Sequence, residues 1–284
     1  MPRSPSTSAQ QAREALATRL AQIMSDAGLK GVHLARAAGW HESKTSRIVT
    51  GTTLPSPTDI RLWCEICGAA DQAEDLIAQA LAAESMYVQW RQRERAGLVS
   101  IQRSYVPLYT RTQLFRQYSS TLVPGFLQTR DYAEALLTSI ATFRGLRTDT
   151  KAAAAARVER SRIIREGSRR GVFLIEEGVL RNRMGDAATM EAQLGYLIAA
   201  AGLPSLSIGI VPFTADRSGT WIVETFTMYD NTSAHVELLG AEITVTAPTE
   251  LRAYADMFDA VLHKALFGEQ ARARITEALE ALTG

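Results

Sequence analysis

Residues 42–52 bring together side chains that donate and accept hydrogen bonds. The set comprises Glu42, Ser43, Lys44, Ser46, Arg47 and Thr52. Carboxylate, hydroxyl and guanidinium groups can pair with the edges of nucleic-acid bases, and cationic groups can pair with phosphates. If residues 42–50 form a helix, Thr45 and Ile48 lie on its inner face and the polar side chains point outward. The segment is therefore expected to contact nucleic acid through this polar face.

A short preceding helix and a turn would position that face. Within residues 31–51, Leu34 and Ala35 fall early in a first helix and Ala38 falls in its last turn. Gly39 follows where the chain must leave the helix, a position that often takes left-handed backbone and therefore suits glycine. Small Ala35 lets two helices cross closely, as in a helix-turn-helix. A helical hairpin of any function shares these features, so the flanking sequence is needed to distinguish a DNA-binding helix-turn-helix from another helical hairpin.

The flanks favour a small helical bundle. Residues 8–27 carry apolar side chains at helical spacing, namely Leu16, Leu20, Ile23 and Met24. Residues 54–58, with their two prolines and a serine, are expected to end one helix and cap the next. Residues 60–67 supply a further apolar helix face. We therefore predict an all-α, five-helix helix-turn-helix bundle over residues 8–82.

This region resembles the helix-turn-helix domain of XRE-type regulators, which include phage repressors. The segment LARAAGWHESKTSRIVTGTTLPSP is similar to the form common in high-GC bacteria. Two positions depart from that pattern: Thr45 replaces a larger aliphatic residue, and Gly31 replaces a polar residue at the start of the first helix. The resemblance implies that four side chains face base edges, namely Glu42, Ser43, Ser46 and Arg47. It also implies that Lys44 and Thr52 lie near phosphate.

Composition is that of an ordinary globular protein, with 46% hydrophobic and 21% charged residues among 284. This length allows about two domains. The chain has no run of about 18 apolar residues that would predict a membrane span. Residues 1–7 are polar and are expected to be a flexible lead instead of a signal peptide, which predicts a cytoplasmic protein.

Charge is unevenly distributed although the net charge is only +1. Residues 1–61 hold eight basic and four acidic side chains, whereas residues 62–85 hold five acidic and no basic ones. Positive charge is thus concentrated around the predicted reading helix, as expected for a protein that contacts a few phosphates.

Two cysteines, Cys64 and Cys67, form a C-x-x-C pattern. They are either half of a zinc site, a redox pair, or core side chains on one helix face. A zinc site needs two further ligands, and the four histidines are scattered along the sequence, so core packing is favoured and no metal or cofactor is expected. His41 opens the reading helix, where it either touches DNA, caps the helix or faces solvent.

Residues 83–106 are predicted to be a connector that is largely helical. Tyr87 and Trp90 would share one face and dock onto a domain, and the basic side chains are expected to be solvated or to help hold DNA. These basic side chains are Arg91, Arg93 and Arg95.

Residues 107–284 are predicted to form an α+β domain with a mixed or antiparallel sheet. The strands are expected over residues 112–118, 172–175, 206–211, 221–229, 234–239 and 243–246. The helices are expected from near 130, over 150–166 and 187–201, and over 248–266 and 269–282. Asp230-Asn231 is expected to form a turn between two antiparallel strands.

This half resembles the C-terminal domain of unknown function that often follows an XRE bundle in high-GC bacteria. The segments that carry the resemblance are LVPGFLQTRDYAEALL, FLIEEGVLRNRMG, MEAQLGYLI and LSIGIVPF. It implies a regulatory role, often beside a small partner protein encoded nearby in a toxin–antitoxin-like pairing. The resemblance supplies no catalytic residues.

Catalysis has little support in the residues themselves. Adjacent Glu176 and Glu177 follow an apolar strand and can serve acid–base chemistry, but consecutive side chains usually diverge and one can instead cap the next helix. No nucleophile elbow, phosphate loop, dinucleotide fingerprint or zinc-protease motif occurs. We therefore expect no enzyme.

The function predicted is that of a sequence-specific transcriptional regulator that binds double-stranded DNA as a homodimer. Residues 107–284 would dimerise and sense a small neighbour-encoded protein or a small molecule. Four side chains near the predicted strand pair either line a groove or fill the core: Trp221, Phe226, Tyr229 and His235. The alternative is a protein-interaction scaffold, an antitoxin-like partner-binding protein whose DNA binding is secondary.

Overall fold

The computed structural model describes residues 8–85, 88–89, 97–221, 224–239 and 241–283. The chain divides into two compact units. The first covers Met1–Val88 and Ala241–Ala253, and the second covers Gln89–Gly240 and Tyr254–Gly284. This division differs from the predicted boundaries, because residues 97–106 belong to the second unit and residues 241–253 belong to the first.

Helices dominate residues 8–85, as predicted. They are α1 (Ser8–Asp26), α2 (Gly31–Ala37), α3 (Glu42–Val49), α4 (Pro57–Ile66) and α5 (Ala73–Ser85), with a short 3-10 helix at Ala70–Gln72. Their inner faces form one core, in which Leu20, Leu34 and Trp63 are fully buried. The Trp63 indole N–H also donates to the Leu20 carbonyl over 3.1 Å, so the largest side chain of this core leaves no unpaired polar atom.

The link between α2 and α3 is a tight turn. Gly39 has φ of +68°, the left-handed conformation that the sequence predicts there, and the Trp40 N–H returns to the Ala35 carbonyl over 2.8 Å. Leu34 and Ala35 are buried on the inner face of α2. This turn directs α3 across α2 and so determines which face of α3 remains exposed.

The predicted inner face of α3 is confirmed, since Thr45 and Ile48 are each 1% exposed. The two departures from the family pattern lie beside each other, because a Cβ added to Gly31 would lie 3.5 Å from Thr45 Cγ2. Among the described residues, Thr45 Oγ1 finds no hydrogen-bond partner. The small Thr45 side chain therefore packs α3 against the core, but its buried hydroxyl forms no hydrogen bond that would stabilise the packing.

The connector predicted to be helical over residues 83–106 is only partly so. Its helix ends at Ser85, and Val88–Gln89 forms a short strand, β1. The sequence around it is rich in aromatic and β-branched residues, which prefer extended backbone. The expectations for Tyr87, Trp90 and the three connector arginines (Arg91, Arg93 and Arg95) lie outside the described residues.

The second unit is built on a mixed sheet. Its strands are β2 (Leu114–Ser119), β3 (Arg170–Glu176), β4 (Leu206–Val211), β5 (Phe226–Tyr229) and β6 (Ser233–Glu237), in the order β6-β5-β2-β3-β4. The pairs β2–β3 and β3–β4 are parallel, with Leu114 opposite Arg170 and Gly171 opposite Leu206. The pairs β2–β5 and β5–β6 are antiparallel. The predicted α+β class with a mixed sheet is confirmed.

Helices cover this sheet and close the chain. They are α6 (Leu98–Ser104), α7 (Val106–Arg111), α8 (Arg130–Arg144), α9 (Thr150–Ser161), α10 (Glu177–Arg181), α11 (Ala187–Ala200), α12 (Pro248–Leu262) and α13 (Gly268–Thr283). The strand β7 (Ala241–Val245) and the start of α12 belong to the first unit. Short 3-10 helices occupy Gly125–Leu127 and Arg162–Arg165. Phe115, Phe126 and Phe173 lie at the centre of the core between sheet and helices.

The strand predicted over residues 221–229 begins only at Phe226. Phe226 and Tyr229 fill the core, whereas Trp221 is 83% exposed and lies outside any strand. The following turn is as predicted, with Asp230 in the left-handed region at φ +51°. A residue with a short polar side chain tolerates this conformation, which explains why the strand pair turns there.

The buried hydroxyl of Thr45 yields a stability prediction. Replacing Thr45 with Val keeps the branched shape and removes an unpaired polar group, so the free energy of unfolding should rise by about 1 kcal/mol. Thr45→Ser keeps the hydroxyl and loses a methyl group, so it should be destabilising by about 0.8 kcal/mol. Hydrogen–deuterium exchange of the α1–α4 amides in the full chain would report both changes. A less stable Thr45→Val variant would show that the hydroxyl is satisfied in solution.

Candidate nucleic-acid interface

The outer face of α3 is polar and open to solvent. Glu42, Ser43, Ser46 and Arg47 are all exposed, while the two apolar-facing positions of the helix are buried beneath them. None of the described hydrogen bonds or ion pairs engages the side chains of Glu42, Ser46 or Arg47. A carboxylate, a hydroxyl and a guanidinium are thus presented side by side with their pairing capacity unused, as a base-reading surface requires.

His41 caps this helix. Its Nδ1 accepts a hydrogen bond from the Ser43 backbone N–H over 3.3 Å and lies 2.9 Å from Ser43 Oγ. An unpaired N–H in the first turn of the helix is thereby satisfied. Two of the predicted roles, capping and solvent exposure, are therefore both observed, and the cap partly occupies the Ser43 hydroxyl.

Lys44 is engaged within the protein. Its Nζ lies 2.6 Å from Asp59 Oδ1 and 4.2 Å from the centre of the Trp40 ring, and its side chain is one-third exposed. This cation–π contact and ion pair link α3 to the first turn of α4. The ammonium expected near phosphate therefore also has a structural partner.

Asp59 is held by a capping box. Ser56 Oγ accepts the Asp59 N–H and Asp59 Oδ2 accepts the Ser56 N–H, each over 3.2 Å. Burial tends to raise the pKa of Asp59, but the hydrogen bonds from Lys44 and Ser56 outweigh burial and hold that pKa below its ordinary value. Asp59 is therefore an anion at neutral pH, fixed where it can hold Lys44.

Thr52 lies just beyond the C-terminal end of α3, where Gly51 has φ of +69°. Its N–H donates to the Arg47 carbonyl over 2.9 Å, and its hydroxyl lies 2.9 Å from Thr50 Oγ1. The side chain is exposed. The predicted site residues thus occur on one helix and its C-terminal turn, and all but Lys44 are open to solvent.

Trp40 and Asp59 also determine this surface, although neither was predicted to be part of it. The signal available for Asp59 was the Ser-x-x-acid spacing of Ser56 and Asp59, which marks a capping box. The sequence spacing of Trp40 and Lys44 does not predict the cation–π contact between them, because that contact depends on the turn at Gly39. These contacts follow from tertiary structure alone.

The cysteines pack in the helical core. Cys64 is fully buried and Cys67 is half-buried, and burial raises the pKa of the Cys64 thiol to about 11. Among the described residues, no cluster of histidine, cysteine or carboxylate side chains has the composition of a metal site. Core packing is thus the interpretation that the structure supports for Cys64.

The paired carboxylates at the end of β3 have separate structural partners. Glu176 accepts hydrogen bonds from the Tyr118 hydroxyl at 2.8 Å and from Arg217 Nη1 at 2.7 Å. Glu177 Oε2 accepts the Phe213 N–H over 3.0 Å. Glu176 precedes α10 without capping it, whereas Glu177 lies in the first turn of α10, where the helix dipole favours a carboxylate. Both carboxylates also bond to the loop that follows β4.

No helix within the described ranges combines the length and the apolar character that a bilayer crossing demands.

The Lys44–Asp59 pair yields a second prediction. Lys44→Met keeps the aliphatic stem over Trp40 and removes the charge, so at neutral pH the free energy of unfolding should fall by about 1 kcal/mol. Because the pKa of Asp59 is lowered by folding, the contribution of the pair is present above the ordinary carboxyl pKa and is lost as pH falls through the folded value. Urea unfolding at neutral and acid pH should therefore show a difference that closes in acid. Equal stability at neutral pH would mean that the ammonium is free in solution.

Two family models match consecutive parts of the chain, and the second also spans residues 241–253, which pack with the first unit. A family model described as a helix-turn-helix domain matches residues 15–76, which include all of α2, α3 and α4. A second model, described as a domain of unknown function (DUF5753), matches residues 102–277. No curated protein matches the chain. Since the second match spans more than half of the sequence, the chain belongs to the DUF5753 family and carries a helix-turn-helix domain in front of that domain.

Proposed function

We propose that this protein is a sequence-specific transcriptional regulator that reads the major groove of double-stranded DNA with α3. The observation that carries the proposal is the unused pairing capacity of the exposed α3 face inside a matched helix-turn-helix domain. A recognition helix contacts base edges through such a face while its other side rests on the bundle. An XRE-type affiliation and a cytoplasmic location are part of the same proposal.

Each exposed side chain has a role set by its chemistry. Arg47 carries a planar guanidinium that can donate two parallel hydrogen bonds to guanine, and the Glu42 carboxylate can accept from the cytosine amine. Ser43 and Ser46 can pair with several bases. Thr52 lies beyond the end of the helix and is assigned to a phosphate. Lys44 adds positive charge near the surface while it also holds α3 against α4.

The third prediction tests the reading role of Arg47. Arg47→Ala should cost about 1–3 kcal/mol in binding to a duplex selected from a randomised library by the parent protein, and it should relax preference at one base pair. Arg61→Ala is the control, because it removes another exposed arginine, which lies on α4 and pairs with Glu74 at 2.9 Å. Competition titrations against each single-base variant of the duplex would measure both effects.

Unchanged selectivity in Arg47→Ala would contradict the assignment. If neither the parent nor the variants prefer any sequence, the alternative of an interaction scaffold gains support. In that scaffold the bundle binds a partner protein and DNA binding is secondary. The α3 face argues against this alternative, because protein interfaces favour aromatic anchors and this face has none.

A homodimer is the second part of the proposal. One small bundle offers few contacts, and helix-turn-helix proteins usually place two recognition helices about 34–36 Å apart on a two-fold site. We therefore predict that the chain sediments as a dimer at micromolar concentration and that its selected duplex is palindromic. A monomer with and without DNA, in analytical ultracentrifugation, would overturn this part.

The second unit is proposed to regulate binding without catalysis. Its adjacent carboxylates accept hydrogen bonds from Arg217 and from the Phe213 N–H, so both have structural partners. A small partner protein encoded nearby, or a small molecule, can change DNA affinity only by binding the competent and incompetent states differently. Phe213 and Trp221, 65% and 83% exposed on the loop after β4, are the aromatic side chains that such a partner would cover.

A further inference from the structure

Residues 151–170 concentrate positive charge in the second unit. They carry seven basic and two acidic side chains, and six of the seven cations are arginines. The segment comprises α9, the 3-10 helix at Arg162–Arg165 and the start of β3. The α3 reading helix lies in the other unit, so its contacts do not account for this charge.

Arg111, Arg169 and Arg170 lie next to the starts of β2 and β3, and Arg165 precedes them at the end of the 3-10 helix, with its guanidinium 5.4 Å from the centre of the Tyr196 ring. Arg169 Nη2 donates to the Thr110 carbonyl over 2.8 Å, and Gly167 makes the intervening turn with φ of +65°. The Arg170 N–H donates to the Gln113 carbonyl over 2.9 Å, next to the start of β2. We call these four side chains the arginine surface, which consists of Arg111, Arg165, Arg169 and Arg170.

The arginine surface carries more positive charge than the nearby carboxylates compensate. Arg111, Arg165 and Arg170 are exposed, and no ion pair among the described residues includes any of the four. The nearby Asp230 carboxylate accepts the Gln113 and Leu114 N–H groups, at 3.0 and 2.7 Å. Glu166 on the same turn offsets one charge. Arg169 Nε finds no acceptor within the described part of the chain, so guanidinium donors exceed the acceptors that the protein supplies.

We propose that the arginine surface binds the phosphates of duplex DNA without reading bases. The guanidinium fork matches phosphate oxygens in geometry as well as in charge. The large exposed aromatic side chains described in this unit, Phe143, Phe213 and Trp221, belong to other segments, so the anchors that a protein partner would favour are missing from the surface. The inference rests on the proposed function, to which it adds sequence-independent contacts.

The experiment compares three full-length proteins by fluorescence anisotropy with a labelled duplex of scrambled sequence. The test variant is R111Q/R165Q/R170Q, which leaves Arg169 and its structural hydrogen bonds in place. The matched control is R130Q/R147Q/R183Q, which removes three exposed arginines from other parts of the same unit. Affinity is measured over a series of KCl concentrations, and thermal unfolding checks that each variant is folded.

In the test variant, the slope of log K against log[KCl] should become shallower by about 2 to 3, because each lost phosphate contact removes about 0.9. The control should keep the parent slope, and R111K/R165K/R170K should restore it. A test variant whose slope equals the parent slope overturns the inference and leaves an acidic protein as the partner of this surface. A parent protein that binds no duplex overturns the proposed function as well, which separates the two failures.

Discussion

Burial of Thr45 and Ile48 determines what the first unit offers to a partner. A helix of this length has a single inner face, so fixing two side chains on that face fixes the direction of all the others. The turn at Gly39 and the core around Trp63 hold that face in place. Arg47 owes its exposure to these apolar contacts, not to any contact of its own.

In the second unit, charged side chains differ in whether the protein itself supplies their partners. Glu176 and Glu177 have the composition of an acid–base pair, yet each is committed to the loop that follows β4. At the opposite end of the parallel strands, Arg169 bonds to backbone carbonyls, whereas Arg111, Arg165 and Arg170 are exposed and take part in no described ion pair. The distribution of satisfied and unsatisfied charge, more than residue type, therefore separates structural side chains from those available to a partner.

Sequence alone predicted the elements whose signals are local. The left-handed glycine at residue 39, the inner positions of α3 and the turn at Asp230 all depend on short-range sterics or periodicity, and the structure has each of them. Periodicity did not show that Trp221 leaves the sheet or that the connector becomes a strand at Val88, since these depend on distant packing. The tie from Lys44 to Asp59 was missed for the same reason, because it joins residues on separate helices.

The reactivity of the Cys64 thiol reports how often the helical core opens. Because the Cys64 side chain is fully buried and burial raises the pKa of its thiol to about 11, almost no thiolate exists near neutral pH and none of it meets solvent. Alkylating reagents can then reach this sulfur only when the packing of α4 opens, so the rate of its modification measures that opening. Cys67, half-buried one turn later, supplies an internal comparison in the same helical region. If DNA occupies α3 as proposed, it should stabilise the core beneath α3 and slow this modification, so the native chain would need no introduced label to report binding.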